Sequence, residues 1–359
     1  MHRKILIQIA TVSAVAAIVG ALPTAARAQL EVTANNLAEI KFSGRVNLQY
    51  NTTSVGDNRS SEFLLRRVRL TAEFKFNDFL SGKIEPEYAI TSTRVRDAYG
   101  RLTFGPGLRF TFGQFKKPTD VFQLTTSSIL PVIERSGFVR GVDSCAGVGF
   151  CSFTFFSSGL LYADRDIGVM MDGKLGIFDY AFSATNGEGV WTKEDNGEKA
   201  FNGRVVVRAA KDLKIGAHAV QLDFANDTTG QVDYGTAYGA DVDWGNYDRG
   251  LHVIAGFMGG TNWRNLDAQG RTSDFVTAQA IMSYKAPVGG KHISAIEPIG
   301  RASWSDPDTD ATQDRAWLLT PGIQFFFLAR NKMSFNADVY VPDQGGTVWS
   351  FKGQYWMYF

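Results

Sequence analysis

A chain of 359 residues with 37 basic and 36 acidic side chains is close to neutral, which gives no electrostatic case for a nucleic-acid partner. Hydrophobic residues make up 44%, too few for a bundle of membrane helices, while 37 glycines and 13% aromatics suit a β architecture with aromatic bands. After the first 28 residues, no segment offers the 18 or so consecutive apolar residues that a spanning helix needs.

The chain opens on His2-Arg3-Lys4, followed from Ile5 to Gly20 by a run rich in Ile, Val and Ala. Ala26-Arg27-Ala28 then gives an A-x-A cleavage pattern, so residues 1–28 read as a secretory signal peptide and the mature chain is expected to begin at Gln29. A transmembrane helix is the weaker alternative, because the run is short and a cleavage site follows it. Residues 29–359 are read as a single domain without a linker or low-complexity segment.

From Ile40 onward the chain alternates apolar and polar residues with the two-residue period of a β-strand. In Ile40–Tyr50, Phe42, Val46, Leu48 and Tyr50 share one face; Lys41, Ser43, Arg45, Asn47 and Gln49 share the other. In Phe63–Phe76 the outward set is Leu64, Val68, Leu70, Ala72, Phe74 and Phe76, and Arg67, Arg69, Thr71, Glu73 and Lys75 point inward. Arg66 breaks the outer pattern there and is read as a snorkelling side chain near an interface. Ser81–Thr91 places Ile84, Pro86, Tyr88 and Ile90 outward and Lys83, Glu85 and Glu87 inward. Pro86 cannot donate a ladder bond, so a bulge is expected beside it.

Further strands are expected at Val95–Phe104, Leu108–Phe115, Ile167–Leu175, Tyr180–Asn186 and Phe201–Ala209. Lys214–Leu222, Thr236–Trp244, Leu251–Met258, Phe275–Tyr284 and Ser294–Trp304 follow. Ala316–Phe327, Met333–Tyr340 and Val348–Phe359 bring the total to sixteen. In the last, Trp349, Phe351, Gly353, Tyr355, Met357 and Phe359 face one side, opposite Ser350, Lys352, Gln354, Trp356 and Tyr358. Short turns such as Asn77-Asp78, Gly105-Pro106-Gly107, Lys211-Asp212 and Arg330-Asn331 alternate with longer polar loops, the mark of an outer-membrane barrel. Strands in lipid must close on themselves, so the expected fold is all-β: a 16-stranded antiparallel transmembrane β-barrel wide enough for an aqueous channel. A soluble sandwich would alternate similarly, but the leader and the terminal Phe359, the expected handle for a barrel-assembly machinery, favour the outer membrane of a Gram-negative cell and a partner shell of its lipids.

The longest connector runs from Phe115 to about Asp166 and holds the two cysteines of the chain, Cys145 and Cys151. An exported chain enters an oxidising compartment, so a disulfide is expected; free or metal-binding thiols are the alternative. The mature histidines, His218, His252 and His292, are scattered and give no metal-ligand spacing and no nucleophile–base pair that can be named. The chain is therefore read as no enzyme and without a cofactor, a barrel hydrolase being the runner-up outside this class.

Charge distribution carries the functional signal. From Gln29 to Arg140 there are 16 basic and 11 acidic residues; beyond, 18 and 25. Lys41, Arg45, Arg67, Arg69, Lys75 and Lys83 fall on the inward faces of three successive strands, with Arg101 and Arg109 on the next two. Strands about 4.8 Å apart make these one wall, and basic walls select small anions. The plain alternative is that they keep a wet lumen and pair with Glu73, Glu85, Glu87 and Asp97.

Phe42-Ser43-Gly44-Arg45-Val46, Leu65-Arg66-Arg67-Val68-Arg69-Leu70 and Arg96-Asp97-Ala98-Tyr99 resemble segments of the phosphate-selective porin O and P family. Phe112-Gly113-Gln114-Phe115-Lys116-Lys117-Pro118, Thr126-Ser127-Ser128, Glu134-Arg135 and Glu297-Pro298-Ile299-Gly300-Arg301 extend that similarity over most of the mature chain. The resemblance implies a homotrimer of 16-stranded barrels, with a long third loop folded into the lumen and arginines guiding anions to a lysine-bearing constriction. It suggests Arg45 and Arg67 as guides, Lys83 as a constriction cation, Asp97 as its acidic counterpart, and Lys116 and Lys117 where the third loop begins. Phosphate-specific members carry a lysine just before the Thr-Ser-Ser stretch, where this chain has Leu124-Thr125-Thr126. Passive diffusion of small hydrophilic solutes with an anion preference is the expectation, phosphate selectivity its sharper form, and a general or carbohydrate pore the alternative within the fold.

Overall fold

The computed structural model describes residues 38–55, 58–89, 92–137, 145, 151–194 and 196–359. The signal peptide read over residues 1–28 lies outside the described residues.

Sixteen strands form one closed antiparallel barrel. They are β1 (Glu39–Val55), β2 (Asn58–Lys75), β3 (Leu80–Ala89), β4 (Ser92–Gly105), β5 (Leu108–Lys116), β6 (Arg165–Leu175), β7 (Phe178–Thr185) and β8 (Ala200–Ala210). The second half comprises β9 (Leu213–Asn226), β10 (Gln231–Gly245), β11 (Gly250–Leu266), β12 (Thr272–Pro287), β13 (Ala295–Asp306), β14 (Ala316–Leu328), β15 (Asn331–Pro342) and β16 (Val348–Tyr358). Each strand pairs with its chain neighbours, and β1 closes on β16 with Arg45 opposite Tyr358. Every expected strand has its counterpart.

The faces follow the alternation. On β16, Ser350, Lys352, Gln354 and Trp356 are buried inside, while Trp349, Phe351, Tyr355 and Met357, and Phe359 just after the strand, are exposed to the lipid side. Short turns at Pro106–Gly107, Gly176–Ile177, Lys211–Asp212 and Ala329–Arg330 lie at one end. Gly176 adopts φ 58° there, a left-handed conformation that suits glycine.

One face assignment is corrected. The β1–β2 register steps from Asn47 opposite Arg67 to Leu48 opposite Leu65, so Arg66 is the extra residue of a bulge. The bulge reverses the parity of everything before it. Leu64 pairs with inward Gln49, Leu65 and Phe63 take the lipid side, and Arg66 turns inward instead of snorkelling. The bulge expected beside Pro86 is present between Glu85 and Pro86, with the extra residue, Arg96, on β4. Both bulges put an additional arginine inside.

The connector between β5 and β6 contains two short helices, α1 (Val121–Leu124) and α2 (Phe153–Gly159). Asp120 caps α1 by accepting the Gln123 N–H at 2.7 Å, and Ser152 caps α2 from its hydroxyl. Cys145 and Cys151 are joined by a disulfide with Cα atoms 5.2 Å apart.

Candidate functional site

The 117–164 segment meets one side of the barrel wall through apolar packing. Phe122, Phe153, Phe156, Leu160 and Tyr162 are buried in one cluster with Val220, Leu222, Ile254, Met258, Phe275 and Leu318, which all project inward from β9, β11, β12 and β14. Phe156 stacks on Phe275 at 5.1 Å between ring centres, and Phe122 meets Phe153 edge-on at 4.9 Å. Apolar side chains on an inward face would be out of place against water; here they bury the segment.

Polar anchors fix its path. Arg204 on β8 is bonded twice to Asp241 at 2.6 Å and reaches Thr119 O at 2.6 Å, while Asp241 accepts the Val121 N–H. The Ile133 N–H donates to Asn336 Oδ1 at 2.7 Å, and Gln324 donates to Pro131 O. Arg301, from the Glu297–Arg301 stretch, donates to Glu134 O and Arg135 O at 2.9 and 2.8 Å and is ion-paired with Asp338. Lys352 holds the other oxygen of Asp338. These anchors come from β8, β10 and β13–β16.

On the opposite side, between the segment and β1–β6, a cavity of about 830 Å3 remains. Among the described residues, eleven arginines and lysines line it against four carboxylates, so its wall is strongly basic. Of the residues expected at the pore, Arg45, Arg67, Arg69, Lys83, Asp97 and Lys116 line this cavity together. Lys41, Lys75 and Arg101 instead border a separate, smaller space beside β1–β4. Two further placements differ from expectation. Arg109 is ion-paired with Asp172 and lines neither space. Lys117 is fully buried, held by Leu161 O and Asp166, because the chain turns inward at Pro118 and seals it behind the segment.

Many of the cavity's charges are paired. Arg69 is bonded to Glu85 at 3.0 Å and to Glu87; Lys83 lies 2.7 Å from Asp97 and 3.2 Å from Glu85. Arg165 reaches the other oxygen of Asp97 at 2.5 Å. Lys116 donates to the carbonyls of Gln123 and Leu124 at 2.7 and 3.1 Å. Arg94 is exposed to the cavity and has no ion-pair partner among the described residues.

Sequence reasoning missed Arg66, Arg94, Arg96, Arg135, Arg165 and Arg330 at this cavity. The first and third turn inward at bulges, Arg135 belongs to the segment, and Arg330 lies in a short turn. Glu134 also went unassigned. Its carboxylate accepts from Arg66 Nε and Nη2 at 2.5 and 3.1 Å and from Gln49 Nε2 at 3.3 Å. Burial pushes its pKa up, but Arg66 and then Arg67 outweigh that and hold it at about 2. Arg135 donates to Thr125 O at 2.5 Å and Gln123 Oε1 at 3.2 Å. Burial lowers its pKa to about 10. His252 is bonded to Asp243 at 2.8 Å, and among the described residues no group of three His, Cys, Asp or Glu could hold a metal ion.

A closed 16-stranded barrel, lipid-facing outside and lined by charge around an aqueous space, defines the class: an outer-membrane β-barrel channel. The family model described as phosphate-selective porin O and P matches residues 40–250, more than half the chain, and the protein belongs to that family. No curated protein matches the chain in sequence. Among solved structures it is similar to Salmonella typhi OmpF in complex with daunomycin, with a TM-score of 0.63 at 11% identity over 92% of this chain and 100% of that one. The outer-membrane channel DcaP of Acinetobacter baumannii gives 0.62 at 15% identity, over 91% and 99%. The anion-selective porin from Comamonas acidovorans gives 0.61 at 13% identity, over 89% and 99%.

Proposed function

We propose that this porin passes small hydrophilic solutes by passive diffusion and prefers anions. The long segment narrows the lumen by occupying its β9–β15 side, which leaves solutes a route along the arginine-rich β1–β6 side. The observation that carries this reading is the excess of cations at the cavity: eleven line it against four carboxylates, and Glu134 and Asp164, paired with lining arginines, reduce the excess without cancelling it. Paired arginines and lysines contribute little net field, so Arg94, Arg45 and Arg330 supply much of the attraction.

General anion preference is a better fit than phosphate specificity. A phosphate trap needs several free donors converging on one point, and here Lys83 is shared between two carboxylates while Lys116 is engaged by backbone carbonyls. A leader over residues 1–28, cleavage before Gln29 and assembly as a homotrimer complete the proposal. Purified channels in a planar bilayer test it. A reversal potential favouring chloride across a potassium chloride gradient is expected, and cation preference would overturn it. Millimolar phosphate blocking chloride current would instead restore phosphate selectivity.

A further inference from the structure

Gln49, Arg66 and Arg67 belong to the rigid wall of β1 and β2, yet they converge on one carboxylate supplied by the segment. Arg66 presents Nε and Nη2 to the two oxygens of Glu134 at 2.5 and 3.1 Å. This is the side-on fork geometry that fits a planar carboxylate. Gln49 adds a third donor at 3.3 Å, and Arg67 Nη2 stands 3.7 Å away. Arg67 Nη1 is buried beside them without a hydrogen-bond partner among the described residues. Arg67 is shared, since its Nε lies 3.7 Å from Glu87, so the fork of Arg66 is the principal hold on the Glu134 carboxylate. The backbone of Glu134 is meanwhile fixed from across the barrel by Arg301 and, through Ile133, by Asn336. Wall and segment thus meet through this side chain, at the edge of the solute cavity that Arg66 and Arg67 line.

We propose that Gln49, Arg66 and Arg67 form a binding site for carboxylate-bearing solutes, and that Glu134 fills it from within as a tethered competitor that a carboxylate must displace in order to bind. The inference rests on the anion-preferring reading of the passage. Burial strengthens an ion pair made with this geometry, but the donors do not distinguish a tethered carboxylate from a free one. What favours Glu134 is effective concentration, on the order of millimolar for a tethered group. A free carboxylate below that range passes without binding; above it, the carboxylate occupies the site and slows smaller anions.

Propionate reproduces the end of a glutamate side chain and is the probe. Chloride current is recorded through wild type and Glu134→Gln at increasing propionate. The half-blocking concentration is expected to fall roughly tenfold in the variant, because its competitor has lost its charge, and Glu134→Gln/Arg66→Gln should lose the block. Should Glu134→Gln fail to assemble, Asn336→Ala, which frees the Ile133 N–H without touching the receptor, should shift the block in the same direction. Equal propionate block in chloride-selective wild type and variant would overturn the inference and leave the anion preference standing. A cation-selective wild type would overturn the anion preference itself.

Discussion

The ring of Phe359 occupies the space beside Gly44 that a side chain there would need. A Cβ on Gly44 would stand 2.5 Å from the ring and 3.0 Å from Arg69 O. The two residues also exchange both backbone hydrogen bonds, Gly44 N to Phe359 O at 2.8 Å and Phe359 N to Gly44 O at 3.1 Å. The last residue of the chain is therefore the last rung of the seam that closes the barrel. Gly44→Val should expel the ring and impair closure, seen as a smaller fraction of heat-modifiable folded barrel on gels. Phe359→Ala keeps the ladder bonds and should fold less efficiently but to the same final state. Normal folding yield of Gly44→Val would contradict this account of the seam.

The barrel was largely legible because alternation repeats through sixteen segments and the lipid face must be apolar along the membrane's height. Strand ends were less so. β11 runs to Leu266, well past the expected end at Met258, because strands that project beyond the membrane need no apolar face. Arg66 shows a different limit: Leu64-Leu65-Arg66-Arg67 has no internal mark of parity, and only the cross-strand register reveals the bulge. The segment's docking was hidden for a third reason. Phe156 and Phe275 are more than a hundred residues apart, and an inward phenylalanine looks like a defect until its partner is seen.

Arg94 separates charges that act on solutes from those cancelled by neighbours. Arg94→Glu should lower the chloride-to-potassium permeability ratio severalfold, on the order of 1 kcal/mol for a reversed charge in a water-filled passage. Arg109→Gln/Asp172→Asn, which removes a paired cation away from the cavity together with its carboxylate, should leave the ratio within experimental error. Reversal potentials at low ionic strength give the cleanest comparison, because salt screens the difference.

Phe156 is fully buried on Phe275, so Phe156→Ala removes a large apolar contact from the docked segment. Such truncations cost about 3–5 kcal/mol. The wall retains all of its strand pairing, so the loss should fall on the segment alone: folded barrel at normal yield, with higher and noisier conductance. Unchanged conductance would mean that the segment does not restrict the passage.

The Cys145–Cys151 bridge closes a short loop within the same segment. In the chain-entropy picture a ring of this size contributes about 2 kcal/mol to local order. Cys145→Ser/Cys151→Ser should cleave faster than wild type under limited proteolysis, with new cuts confined to the segment. Equal cleavage rates would show that the apolar docking suffices without the bridge.

Three carboxylates of the segment give its anchoring an optimum in pH. Burial raises Glu134 and Asp164, but their arginine neighbours outweigh it and hold both at about 2, below the ordinary carboxylate range near 4. Their contribution is present above about pH 4 and declines as pH falls toward 2. Asp120 is opposite in sign. Its burial outweighs the cap bond from Gln123 and raises it to about 6. The stabilisation gained by protonating it is complete below about pH 4 and is lost as pH rises through 6. The segment should therefore be held most firmly near pH 4 to 5, where Glu134 and Asp164 remain ionised and Asp120 is already neutral. Open-channel noise should pass through a minimum in that range. Asp120→Asn should flatten the limb above pH 5, and Glu134→Gln should weaken the rise below pH 4. A monotonic pH profile in wild type would mean that these three groups do not control the segment.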